Sequence, residues 1–201
     1  MAHVTTGIRA ILRHPWVYET LQSVAGSKGF RDVLVKEFIR PFPGARILDV
    51  GCGPGEFLAH LPADVAYVGY DIGREYIAHA RSRYGDRGTF HATEFDDVEL
   101  AKHAPFDIAL VAGVLHHMED DQARHLMALL RRAVPSGRVI TGDIVVLPKQ
   151  DFMMRQVIAW DRGRNARSPE GYQNLARPFF SGVAGRTVRR SVIDAWMMEC
   201  T

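Results

Sequence analysis

Cysteine and net charge are both scarce in this sequence. Only two cysteines, Cys52 and Cys200, occur among the 201 residues, and they lie far apart. A disulfide framework or a cysteine zinc site needs more cysteines at short spacing, so neither is expected, and a reducing cytoplasm suits the chain. The net charge of +2 is too small to predict a nucleic-acid or other polyanionic partner.

Long apolar runs are also missing. Arg9, Arg13 and Pro15 interrupt the N-terminal segment, so no signal peptide is expected there. The longest apolar run, Ile108–Leu115, is far shorter than the roughly 20 residues that span a bilayer. We therefore expect a cytoplasmic protein with no membrane partner.

The composition is that of a folded globular chain, with 47% hydrophobic and 24% charged residues. Its length suits one domain. Short β-branched apolar runs alternate with amphipathic stretches, which predicts an α/β fold with a mostly parallel sheet covered by helices on both faces. The predicted strands are Arg46–Val50, Ala66–Tyr70, Thr89–Ala92, Phe106–Ala112 and Arg138–Val146. The predicted helices between them lie near Glu56–Leu61, Arg74–Arg83 and Asp120–Val134.

The two ends of the chain differ from this alternating core. Residues 1–44 predict two helices around a flexible glycine segment and are interpreted as a lid, before a core of residues 45–147. Within residues 148–201, the pattern predicts two helices, Phe152–Trp160 and Gly171–Phe180, and then two short strands or a hairpin over Thr187–Cys200.

A glycine-rich turn follows the first predicted strand. Gly51, Gly53 and Gly55 alternate with other residues between that strand and a helix, and Asp49 precedes them. Glycines allow a ligand to approach the backbone closely. The spacing is not the Gly-x-Gly-x-x-Gly of a pyrophosphate site, and Asp49 would repel a phosphate. The turn therefore favours a ligand with a cationic group, such as an ammonium.

This segment, Asp49-x-Gly51-Cys52-Gly53-x-Gly55, resembles the first motif of the class I S-adenosylmethionine-dependent methyltransferases. The resemblance continues in chain order to about residue 146 and implies a Rossmann-like, seven-stranded sheet with one antiparallel strand. It also implies that Asp71 holds the ribose hydroxyls, and that S-adenosylmethionine is the cofactor and S-adenosylhomocysteine the product. The implied cofactor-binding residues are Asp49, Gly51, Cys52, Gly53, Gly55, Asp71, Ile72, Glu94, Phe95, Ala112, Gly113, Val114 and His117.

Two adjacent histidines follow the fourth predicted strand. His116 and His117 lie at the sheet edge where open α/β sheets bind ligands, so a catalytic base or a cofactor contact is predicted for them. The alternative is that one of them caps or packs against the next helix. No metal site is expected, since adjacent histidines point apart and no third ligand at helical spacing accompanies them.

Most candidate acceptor-binding residues lie after residue 146, beyond the resembling segment. Arg162, Arg164 and Arg167 are able to bind an anionic group on the acceptor, or one of them pairs with Asp161 to fix the loop. Tyr18 is a candidate for closing over the site.

Together these features predict an enzyme that transfers a methyl group from S-adenosylmethionine to the oxygen, nitrogen or carbon of a small molecule, as in secondary metabolism. One alternative is a nucleic-acid methyltransferase, although no Asn/Asp-Pro-Pro-aromatic motif follows the fourth strand. Another is a catalytically silent partner subunit that binds the cofactor. The oligomeric state is left open.

Overall fold

The computed structural model describes residues 27–160, 165–190 and 193–201, which form one seven-stranded sheet with helices on both faces. The strand order is β3-β2-β1-β4-β5-β7-β6. The strands are β1 (Arg46–Val50), β2 (Ala66–Tyr70), β3 (Gly88–His91), β4 (Ile108–Ala112), β5 (Arg138–Ile144), β6 (Val183–Arg190) and β7 (Ile193–Cys200). Strands β1 to β5 pair in parallel, and β7 runs antiparallel to both β5 and β6. The predicted α/β class and the single antiparallel strand are thus confirmed.

Six α-helices belong to the described part of the chain: α1 (Ser27–Leu34), α2 (Arg74–Tyr84), α3 (Asp97–His103), α4 (Asp120–Ala133), α5 (Phe152–Trp160) and α6 (Pro169–Ala176). Short helical turns of other types cover Val35–Ile39, Glu56–His60, Gly85–Arg87 and Leu115–His117. None of the helices in this part of the chain combines the length and apolar character that a bilayer-spanning segment needs.

Two apolar layers enclose the sheet because strand side chains alternate between its faces. In β1, Leu48 and Val50 pack into one layer and Ile47 into the other. The first layer includes the buried face of α4, with Leu126 and Leu130. Each layer removes one side of the same strands from water, which explains why the central strands read as continuous apolar runs.

Helix α4 shows how local sequence fixes an element. Its N-terminus has a capping box between Glu119 and Gln122, and at its C-terminus Arg131 donates to the carbonyls of Val134 and Pro135 at 3.0 and 2.9 Å. Both ends of the helix are therefore satisfied by side chains close in sequence.

The segment interpreted as a lid is described only from residue 27 onward. Leu34, Val35, Phe38 and Ile39 are buried in the second apolar layer, so this part is a packed element of the core. The described part of this segment therefore packs against the sheet, and a lid formed by the preceding residues stays a prediction.

Helix α3 was missed by the sequence analysis, although a signal is present. The carboxylate of Asp96 caps the helix by accepting from the backbone N–H groups of Val98 and Glu99, both at 2.9 Å. An aspartate followed three residues later by glutamate is a typical helix start. The segment is short, and its weak apolar pattern concealed it.

From β1 the chain first adds β2 and β3 on one side, and it then adds β4 and β5 on the other side. The strand order therefore reverses between β1 and β4. The loops after these two strands diverge there and leave a crevice at the carboxyl edge. The fold therefore brings the glycine turn, Asp71 and the histidine pair to one edge.

Candidate active site

The glycine turn after β1 adopts a backbone that only glycine tolerates well. Gly51, Gly53 and Gly55 have φ values of 75°, 55° and 77°. A Cβ on Gly51 would lie 2.3 Å from Cγ2 of Val114, so the turn and the loop after β4 pack in direct contact. A Cβ on Gly53 would meet no atom within 4 Å. The turn is thus closely packed at Gly51 and open at Gly53.

Asp71 joins the glycine turn to the loop after β2. One carboxylate oxygen accepts from the backbone N–H of Gly53 at 2.9 Å, and the other accepts from that of Gly73 at 2.7 Å. Burial raises the pKa of Asp71, and these two hydrogen bonds oppose the shift. Each oxygen can accept a further hydrogen bond, so the carboxylate suits a pair of hydroxyl groups.

Apolar surface lies next to this carboxylate. Ile72 directly follows Asp71 and its side chain is 69% exposed. Phe95, also expected beside the base of the cofactor, is buried in the core and packs edge-on against Tyr70 with ring centroids 5.1 Å apart. Glu94 is exposed on the loop after β3. On this edge, Ile72 rather than Phe95 presents free apolar surface.

Asp49 lies beneath the glycine turn and is fully enclosed. The hydroxyl of Tyr67 donates to its carboxylate at 2.5 Å. Burial raises the pKa of Asp49 to about 7, while the Tyr67 hydrogen bond works in the opposite direction. Asp49 is therefore a buried acid whose charged form is disfavoured by its surroundings.

Cys52 within the same turn is a packing residue. Its side chain is buried, and a Cβ on Gly69 would lie 2.8 Å from its sulfur. Burial raises the pKa of the thiol, so it is not an activated nucleophile.

The loop after β4 forms the opposite wall of the crevice. Ala112 ends the strand and Gly113 follows it, and the N–H of Gly113 donates to the carbonyl of Gly142 at 2.7 Å. Gly113 is exposed, has a φ of 74°, and faces Cε1 of His116, which would lie 3.9 Å from a Cβ placed there. The imidazole of His116 thus lies directly behind the exposed backbone of this wall.

The two adjacent histidines occupy different environments. His116 is buried, and its Nδ1 lies 2.7 Å from Oδ1 of Asp143, itself only 3% exposed on β5. The backbone N–H of His116 donates to the same oxygen at 3.2 Å. His117 is exposed, and its ring centroid lies 4.0 Å from that of His116. The sequence alone did not distinguish the two residues.

Asp143 is the residue of this site that the sequence analysis missed. It belongs to β5, where it is a buried acidic residue next to apolar and small side chains, and such a residue is a signal in itself. An Asp–His pair of this kind fixes the imidazole tautomer: Nδ1–H donates to the carboxylate, and the lone pair is left on Nε2. The pair can accept a proton from a neighbouring acid group.

Arg167 is bound by groups of the protein itself. Its guanidinium donates to the carbonyls of Leu115, Met118 and Asn165 at 2.7 to 3.0 Å, and twice to the carboxylate of Asp120 at 2.8 and 2.9 Å. All five N–H donors are occupied, so an acceptor would have to displace one of these partners, and the predicted clamp stays a prediction. Arg167 fixes the loop that carries the histidines. The other predicted acceptor residues, Tyr18, Arg162 and Arg164, lie outside the described residues.

Known proteins are similar to this chain over the same part, from β1 to the turn before β5. Residues 47–137 match the family model described as "Methyltransferase domain". The O-methyltransferase cnsE of Penicillium expansum is 33% identical over 128 residues, which are 61% of this chain and 45% of that protein. The ubiquinone biosynthesis O-methyltransferase of Aeromonas salmonicida is 31% identical over 117 residues, 55% of this chain and 48% of that protein. The chain belongs to the class I S-adenosylmethionine-dependent methyltransferases.

A solved structure extends the likeness to the whole fold of this methyltransferase. Human N-acetylserotonin methyltransferase, in complex with S-adenosylmethionine, superposes with a TM-score of 0.68 at 20% identity, covering 94% of this chain and 57% of that one. This chain spans less than half the length of the two relatives above.

The residues present fit the family's cofactor, S-adenosylmethionine. The space above Gly53, which a side chain would fill, gives the cofactor access to the backbone. Asp71 and exposed Ile72 offer a carboxylate and an apolar surface side by side, as a ribose and its base require. The residues at the edge between β1 and β4 thus suit this cofactor.

Proposed function

We propose that this methyltransferase methylates a hydroxyl oxygen of a small organic molecule, with His116 as the general base. The observation that carries the proposal is the buried pair between Nδ1 of His116 and Oδ1 of Asp143, 2.7 Å apart, at the crevice edge. The two relatives named above as O-methyltransferases support the choice of oxygen.

The cofactor supplies a methyl group on a positively charged sulfur, which leaves as a neutral thioether when an acceptor oxygen attacks the methyl carbon. A hydroxyl oxygen is a weak nucleophile until it loses its proton. Nε2 of His116 accepts that proton as the new C–O bond forms, and the carboxylate of Asp143 stabilises the resulting imidazolium. Asp143 acts through His116 and is a positioning residue.

The loop that carries His116 is rigidly held for this purpose. Arg167 binds the carbonyls of Leu115 and Met118 on either side of the histidines, and the N–H of Asn165 donates to the carbonyl of His116 at 3.0 Å. Fixing a base within reach of the acceptor proton lowers the entropic part of the barrier.

The proposed cofactor-binding residues lie around the glycine turn, after β2 and in the loop after β4. They are Asp49, Gly51, Cys52, Gly53, Gly55, Asp71, Ile72, Ala112, Gly113 and Val114.

His117 has a separate role in the proposal. Its exposed ring lies next to that of His116, tilted by 40°, so we infer that a bound cofactor or acceptor can reach it. We assign it to ligand contact rather than to proton transfer.

The test is methyl transfer from radiolabelled S-adenosylmethionine to a panel of phenols, aliphatic alcohols and primary amines. We expect labelled ethers, and a loss of about 10²- to 10⁴-fold in kcat for His116→Ala with unchanged affinity for S-adenosylhomocysteine. The His117→Ala variant should lose less in kcat. Labelled amines alone would refute oxygen methylation, and cofactor binding without any turnover would favour the silent partner subunit.

A further inference from the structure

A cluster of two histidines and one glutamate lies beside the cofactor site and plays no part in the proposed function. His91 ends β3, and Glu99 and His103 lie four residues apart on α3. Residues at that spacing project from the same face of a helix. The Asp96 cap fixes where α3 begins, so the turn that carries Glu99 is set against the end of β3.

The three side chains converge. One potential ligand atom from each lies within 4.8 Å of the others, and no other group of three or more potential ligands does so in the described ranges. Nε2 of His103 lies 3.7 Å from Oε2 of Glu99, and the rings of His91 and His103 have centroids 4.9 Å apart. The ring of Tyr70 stacks on His91 at 4.7 Å and holds it in place.

The hydrogen-bonding groups of the cluster are incompletely used. Nε2 of His91 is buried and has no hydrogen-bond partner among the described residues. Glu99 uses Oε1 for Lys102 at 2.6 Å and receives the Tyr70 hydroxyl on Oε2 at 3.2 Å. A buried nitrogen without a partner is unusual and lowers the free energy of unfolding. A ligand that bonds to this nitrogen would remove that cost.

The donor set selects the class of ion. Two imidazole nitrogens and one carboxylate oxygen are typical ligands of Zn²⁺ and other first-row transition ions, with a fourth position left for water. Mg²⁺ and Ca²⁺ prefer oxygen ligands throughout. Tetrahedral ligands bonded at about 2.0–2.1 Å lie roughly 3.4 Å apart, so side chains within 4.8 Å need only small rotations to bind.

We propose that His91, Glu99 and His103 bind Zn²⁺ or a comparable first-row transition ion, which ties the end of β3 to α3. The ammonium of Lys102 lies on the same carboxylate and opposes a cation there. We therefore expect an affinity in the micromolar range. The backbone carbonyl of His91 accepts from the N–H of Asp71 at 3.1 Å, so the ion would stabilise the edge beside the cofactor site.

The experiment uses untagged protein freed of metal with a chelator and titrated with ZnCl₂ by calorimetry and with CoCl₂ by visible absorption. We expect one ion per chain and the intense cobalt bands of a four-coordinate site. Glu99→Gln and His103→Asn should each weaken binding at least tenfold. His125→Asn, which alters an exposed histidine on α4, is the matched control and should bind as the unaltered chain does.

A gain of affinity makes the test independent of folding defects. Lys102→Met removes the competing charge and should strengthen zinc binding several-fold, which a nonspecific surface site would not show. Zinc should also raise the Tm of the unaltered chain and of the control but not of His103→Asn. Binding that is absent from the unaltered chain, or that survives Glu99→Gln and His103→Asn undiminished, would overturn the proposal without affecting the proposed methyl transfer.

Discussion

Nδ1 of His116 lies 2.7 Å from Oδ1 of Asp143, and both side chains are almost completely removed from solvent. The contact joins the loop after β4 to the neighbouring strand β5, 27 residues further along the chain. It orients one histidine of an adjacent pair, and the other is exposed. The proposed proton transfer rests on this difference.

Replacing Asp143 by Asn tests the orientation of His116. An amide can donate to Nδ1, which favours the tautomer with its proton on Nε2, and it cannot stabilise an imidazolium. We expect kcat to fall about 10²- to 10⁴-fold with little change in KM for the acceptor. The pH profile of kcat should lose its dependence on the base, whereas a purely structural role would leave the profile unchanged and lower the Tm.

Asp71→Ala tests the ribose carboxylate. Loss of charge-assisted hydrogen bonds should weaken binding of S-adenosylhomocysteine by about 1–3 kcal/mol, measured by calorimetry. The variant also frees the backbone N–H groups of Gly53 and Gly73, so circular dichroism must show an intact fold. An unchanged dissociation constant would mean that Asp71 only braces the two loops.

Gly53→Ala tests the open space above the glycine turn. A Cβ there meets no protein atom, so the added methyl should block the ligand and weaken cofactor binding at least tenfold. Gly44→Ala is a matched control, because Gly44 also has a positive φ, 76°, and no neighbour within 4 Å of a Cβ. Both variants pay a similar backbone cost. Equal cofactor binding by the two would show that Gly53 forms only a tight turn.

Asp49 should make stability depend on pH. Burial raises its pKa from 3.8 to about 7, so between these values the native state retains a proton that the unfolded state has lost. The contribution is therefore fully present below about pH 4 and disappears as pH rises to about 7. Asp49→Asn should be more stable than the unaltered chain at pH 8 by roughly 4 kcal/mol, and similar at pH 4.

Urea unfolding at several pH values measures this difference. The raised pKa of Asp71 acts in the same direction in both proteins, so the difference between them reports mainly on Asp49. A difference between the two proteins that stays constant from pH 4 to pH 8 would contradict the assignment to Asp49.

Arg167→Gln should destabilise the fold. The change removes five hydrogen bonds from a side chain that is only 10% exposed, and we expect a loss of about 2–4 kcal/mol in the free energy of unfolding. Arg124→Gln is the control, since Arg124 forms only exposed pairs with Asp120 and Asp121 and should change stability by less than about 0.5 kcal/mol. Equal stability of the two variants would contradict this role and favour acceptor binding by Arg167.

Local sequence determined much of this methyltransferase. Apolar runs and the glycine turn are patterns of neighbouring residues, so they predicted strands β1 and β2 with their observed bounds, and placed Asp49 and Asp71 at the ends of those strands. Helix α4 was equally clear because its capping residues and its buried face all lie within one short segment. The resemblance of these motifs also sufficed to indicate the family and its cofactor.

Only the tertiary structure decided which of these side chains act together. His116 and His117 are adjacent in sequence, yet only His116 is buried against Asp143, which lies on β5, the strand paired with β4. His117 is exposed. Arg167 and His91 likewise take their roles from residues distant in the chain or on another element. Sequence periodicity reports which face of an element is buried, but a hydrogen-bond partner or a ligand cluster depends on the packing of several elements at once.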